Sequence, residues 1–117
     1  MKSLIVITLL ALSSAAFAKP LTCVVSLMQA EHVRDFTMPS SDKGTFTQYG
    51  ITNLEGISYF ANQEKTDGSL HLMIIENGKT HLSTSSGPRH GKMDCLTIDF
   101  GKNEAAEEIK VAISCKG

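Results

Sequence analysis

Two dipeptides, Asp67-Gly68 and Asn77-Gly78, stand on either side of the apolar run from Leu70 to Ile75. Asn or Asp followed by Gly tolerates the positive φ of a type I′ turn, the favoured two-residue link between antiparallel strands. Two such links around one run predict a three-stranded meander. The first turn sets Ala61 opposite Ile74 and Phe60 opposite Ile75. The second sets Met73 opposite Leu82 and Glu76 opposite Lys79. One face then carries Phe60, Met73, Ile75 and Leu82, and the other carries Tyr59, Ala61, Leu70, Leu72 and Ile74. A central strand that is apolar on both faces is expected to be covered on both sides, or to lie where a sheet curls into a barrel.

No stretch after Lys19 carries a sustained helical period, and alternation dominates instead. Leu21, Cys23, Val25 and Leu27 form the apolar face of a first strand. Phe46 to Ile51 reads as a second, ahead of a turn at Asn53 to Gly56. The polar segment between Gln29 and Gly44 leaves open a short edge strand over Val33 to Thr37, with Met38-Pro39-Ser40-Ser41-Asp42 as a turn. Cys95 to Phe100 and Ile109 to Cys115 are the last two strands. The loop from Gly101 to Glu108 joins them, with one helical turn expected through Asn103-Glu104-Ala105-Ala106. The fold class expected is all-β: a small antiparallel β-sandwich or barrel of six to seven strands around the central meander.

The N-terminus belongs to a different problem. Lys2, the apolar run Leu4 to Leu12 and the small-x-small triplet Ala16-Phe17-Ala18 have the form of a signal peptide cleaved after Ala18. The apolar run is shorter than the roughly 20 residues that span a bilayer, so no membrane span is expected in the mature chain. Residues 1–18 are thus read as a leader and 19–117 as one all-β domain, secreted or periplasmic. The full chain has net charge −1; losing Lys2 makes the mature chain one unit more negative. Such a balance offers no broad cationic field for nucleic acid.

An exported chain with 3 cysteines most simply holds one disulfide and one thiol. If the last hairpin buries Leu96, Ile98 and Phe100 with Ile113, Val111 and Ile109, Cys115 shares that apolar face and Cys95 joins Thr97 and Asp99 on the other. A one-residue slip would bring Cys95 opposite Cys115. It would also set Leu96, Ile98 and Phe100 against Ser114, Ala112 and Lys110, which takes a bulge to tolerate. Cys23, beside Leu21 and Val25, is the better partner for Cys115. Cys95 is left as a free thiol able to link a dimer.

Few residues suggest chemistry. His71 and His81 flank the Asn77-Gly78 turn, but the register sends them to opposite faces, with His71 expected beside Glu64. His90, Asp94 and Cys95 include legitimate metal-ligand types without a paired ligand spacing. Ser85 and Ser86 precede Gly87 with no Gly-x-Ser-x-Gly elbow, and Glu107-Glu108 reads as a solvated loop. No catalytic residue, metal site or cofactor is assigned. The segment Ser85-Ser86-Gly87-Pro88-Arg89-His90-Gly91-Lys92 is small, glycine-rich and cationic on an otherwise slightly acidic chain. Ser86, Arg89, His90 and Lys92 are its candidate binding residues.

Thr84-Ser85-Ser86-Gly87-Pro88-Arg89-His90 resembles the Ser-x-Ser-Gly-x-Arg-Tyr loop of the periplasmic C-type lysozyme inhibitors. These are small exported β-barrels whose loop enters the lysozyme cleft. The resemblance covers seven residues; Thr84 and His90 depart from it, and the Trp usual after the loop is missing. It implies inhibition through residues 84–92, with Ser86 and His90 at the positions that matter most. The function expected is therefore an exported, non-catalytic β-domain that binds a protein or cell-envelope partner. A lysozyme-inhibitor-like protein and a small secreted hydrolase or metal-dependent enzyme are the alternatives.

Overall fold

Every regular element in the described part of the chain is a strand, as the alternating pattern requires. The computed structural model describes residues 20–85 and 93–117. The strands are β1 (Thr22–Gln29), β2 (His32–Thr37), β3 (Ser40–Asp42), β4 (Phe46–Leu54), β5 (Ile57–Glu64), β6 (Leu70–Glu76), β7 (Lys79–Ser85), β8 (Met93–Lys102) and β9 (Glu108–Lys116). They form two antiparallel sheets, ordered β2-β1-β9-β8 and β3-β4-β5-β6-β7. The architecture is a β-sandwich, with the expected meander β5-β6-β7 extended by β3 and β4 into a five-stranded one.

The core lies between the sheets. Cys23 and Val25 from β1 and Val111, Ile113 and Cys115 from β9 face Tyr49, Tyr59, Ala61, Leu70, Leu72 and Ile74 of the other layer. Leu96, Ile98, Leu27 and Phe36 pack around them. Met38, nearly fully buried, carries the chain from β2 into the second sheet; its N–H donates to the Cys23 carbonyl at 2.8 Å.

Several expectations are corrected. Nine strands stand among the described residues, not six or seven. β2 bears out the edge strand left open over Val33 to Thr37, while β3 is an exposed polar edge strand with no apolar alternation to betray it. Ser40 to Asp42, expected in a turn, pairs with β4 opposite Thr47 to Tyr49. The Asn77-Gly78 turn forms as expected, with both residues at positive φ and Glu76 opposite Lys79. Asp67-Gly68 does not close a two-residue turn. The link is longer, with Glu64 N–H donating to the Ser69 carbonyl and Gly68 N–H to the Glu64 carbonyl. Asp67 Oδ1 instead accepts from Ser69 N–H at 2.8 Å, as Asx turns do. The register moves by two, so Phe60 faces Met73 and Ala61 faces Leu72, and His71 faces Asn62 rather than Glu64. A shift of two keeps every side chain on its expected face.

Among the described residues no third layer covers the outer side of β6. Gly50, Phe60, Met73 and Leu82 stand in one row across four strands. Leu82 is 59% exposed, while the Phe60 ring lies over Gly50, where an added Cβ would come within 3.0 Å of it. The loop between β8 and β9 holds no helical turn; Asn103 Oδ1 accepts from Ala105 and Glu107 N–H groups instead. In the last hairpin Leu96 faces Ile113 and Ile98 faces Val111, as expected. Phe100 breaks the pattern: a bulge between Asp99 and Gly101 leaves it without a partner opposite, and Ile109 faces Gly101.

Candidate functional site

Four hairpin ends converge at one end of the sandwich: β1–β2, β4–β5, β6–β7 and β8–β9. Between them the layers part into an open cleft of about 780 Å³. Leu27, Ile57, Tyr59, Phe100, Ile109 and Val111 supply its apolar walls, and Gln29, His32, Arg34, Glu55, Glu76 and Lys110 its polar margin. This size falls within the ~300–1,000 Å³ typical of small-molecule sites, which are likewise mostly apolar with a few polar groups.

Backbone conformation places the margin. Glu55 and Gly56 both carry positive φ, +51° and +84°, and so make the two-residue turn between Leu54 and Ile57. Glu55 has a side chain, so its left-handed conformation is uncommon and costs energy. From there its carboxylate accepts from the Arg34 guanidinium at 2.6 Å, joining β2 of one sheet to the turn of the other across the mouth. Both side chains are more than half exposed, so the pair orients the mouth more than it stabilises the fold. Glu76 approaches His81 Nε2 at 3.3 Å. Glu107 accepts from Asn103 and Gln29, which together hold its carboxyl below the usual range.

Tyr59 is the unusual member. It is 0% exposed, and no protein group hydrogen-bonds its hydroxyl. Burial, and secondarily the nearby charge of Glu55, push its pKa up to about 12. The phenol therefore stays protonated near neutrality and is a donor in need of an acceptor. Tyr49 differs, since its hydroxyl accepts from Leu21 N–H at 2.9 Å.

The sequence-derived site lies elsewhere. Ser86, Arg89, His90 and Lys92 fall outside the described residues. The strands that lead to and from them, at Ser85 and Met93, end on the side of the sandwich away from the cleft, beside Leu70 and Lys116 respectively. There Ser85 Oγ donates to Asp94 Oδ1 at 3.0 Å and links the two sheets. Asp94 faces the interior with Cys115, whereas Cys95 is exposed on the outer face opposite Ser114. The two cannot turn to one ion. Among the described residues no three His, Cys, Asp or Glu side chains group as a metal site, and no helix is long and apolar enough to cross a membrane. His71 Nδ1 lies 3.3 Å from Thr84 Oγ1, consistent with its cross-strand position.

Cys23 and Cys115 face each other on β1 and β9 and form the disulfide that their shared apolar face implies. A buried bridge of this kind is compatible with an oxidising, exported location.

The cleft itself was missed by the sequence reading. Its signal was Asp99-Phe100-Gly101: the aspartate accepts from Gly101 N–H at 2.8 Å, and Gly101 takes φ +79°. Such bulges re-aim a side chain next to a site. Compared with known families, curated proteins and solved structures, the chain matches no family model, no curated protein and no solved structure.

Proposed function

We propose that the chain is an exported, non-catalytic β-domain that binds a cell-envelope component or protein, and that the open end of its sandwich does the binding. The carrying observation is the apolar cleft between the layers, ringed by four hairpin ends and bridged by the Arg34–Glu55 pair. Apolar walls left unfilled by side chains cost packing energy, and a ligand recovers it. Export rests on the leader-like residues 1–18 and on a disulfide suited to an oxidising compartment.

The test starts from protein recovered from periplasm or medium, whose intact mass should fit a chain beginning at Lys19. That protein, incubated with native envelope extract, should retain a bound component in native mass spectrometry and melt at a higher temperature. Phe100→Glu, which puts a charge into the cleft wall at a partly exposed position, should lose both effects. Retention undiminished by Phe100→Glu would remove the cleft from the function. A full-length chain held in the membrane would overturn export.

A further inference from the structure

We propose that the cleft takes a neutral, largely apolar small molecule bearing a hydrogen-bond acceptor at its buried end, and that Tyr59 Oη donates to that acceptor. The inference rests on the reading of the open end as the binding site and adds the ligand's chemistry.

Three observations converge on it. Tyr59 contributes to the cleft wall, is fully buried, and has a hydroxyl without a protein partner. Such a group costs stability for as long as it stays unpaired, and native structures keep few of them. A phenylalanine would fill the same space without that cost, so the oxygen is the feature that needs a reason. Next, the phenol stays protonated at neutral pH, so it calls for an acceptor such as a ketone, ester or ether oxygen. Finally, the charge of Glu55 stands near this hydroxyl, and its Arg34 partner is already engaged. An anionic ligand head at the hydroxyl would meet repulsion from Glu55, because Arg34 is engaged and Lys110, also on the margin, already lies 3.8 Å from the Glu108 carboxylate. A neutral ligand meets neither difficulty.

Phe100 is the wall residue with no cross-strand partner, and it is 38% exposed. The Tyr59 hydroxyl itself is closed to solvent, so an acceptor reaches it only where the cleft wall gives way.

Two neutral fluorescent probes separate the alternatives. Prodan carries a ketone on an apolar ring system; N-phenyl-1-naphthylamine is comparably apolar without a carbonyl. Both should bind the mature, disulfide-intact domain. Tyr59→Phe should weaken Prodan about 5- to 10-fold, as loss of one net hydrogen bond does. It should also shift bound Prodan emission to the blue and leave N-phenyl-1-naphthylamine within a factor of two. The variant should melt no lower than wild type, which shows that lost binding is not lost folding. Equal Prodan affinity in both proteins, with both probes bound, would overturn the role of Tyr59 and leave the cleft reading standing. Failure of both probes to bind wild type would overturn the cleft reading itself.

Discussion

Tyr59 is held neutral by its surroundings, and that ties stability to alkaline pH. An unfolded chain releases a tyrosine proton near pH 10, whereas the folded domain retains this one up to about 12. The unfolded state thus binds fewer protons between these values, and stability falls as pH rises through the window. Relative to its level below pH 10, stability drops by on the order of 3 kcal/mol once the folded phenol also ionises. Urea unfolding at pH 9, 10 and 11 should show this decline in wild type and a flatter profile in Tyr59→Phe. Identical profiles would mean that the phenol is as easily ionised folded as unfolded. Asp42 behaves oppositely: the Lys65 ammonium and the Gly44 N–H hold its carboxyl below its ordinary value, but on an exposed surface where little stability follows.

Turns decide how the strands meet, and the two Asx-Gly pairs show how differently one motif can serve. Gly78, at φ +75° with nothing within 4 Å of an added Cβ, is required for backbone conformation alone. Gly78→Ala should therefore cost about 1–2 kcal/mol with no clash. A lowered urea midpoint with unchanged m would show it; no change would mean that the hairpin takes another turn. Asp67-Gly68 has the same Asx-Gly form but sits in a longer link that hydrogen-bonds its own backbone. Sequence alone could not separate the two, because both are compatible with the local composition. The faces were nonetheless legible, since Tyr59, Ala61, Leu70, Leu72 and Ile74 are buried together under either register. What stayed hidden were β3, which has no apolar alternation, and the bulge at Phe100, which interrupts one. Both depend on neighbours elsewhere in the chain, whereas β2 matches the edge strand left open over Val33 to Thr37. The candidate cleft was hidden for the same reason, as it exists only where four distant hairpin ends meet.

Across the molecule, one covalent link joins the first and last strands at the centre of the four-stranded sheet, between cysteines 92 positions apart in the chain. Closing so long a loop stabilises by roughly 4–5 kcal/mol in the chain-entropy view. Cys23→Ser and Cys115→Ser should each cost about 2–5 kcal/mol, while Cys95→Ser, at an exposed position, should change the melting temperature little. Non-reducing peptide mapping should join the Cys23 and Cys115 peptides and find Cys95 alkylated or in a disulfide-linked dimer. A Cys95–Cys115 crosslink would contradict the register of the last hairpin. The placement of that bridge has a mechanical consequence. β1 and β9 run antiparallel, so the chain enters and leaves the domain side by side, at the end away from the cleft. Tension applied through the two termini passes from Cys23 straight to Cys115 and bypasses every hydrogen-bonded strand between them. Tethered at either or both termini, the domain would hold its open end outward and carry load without unravelling for as long as the bridge stays oxidised.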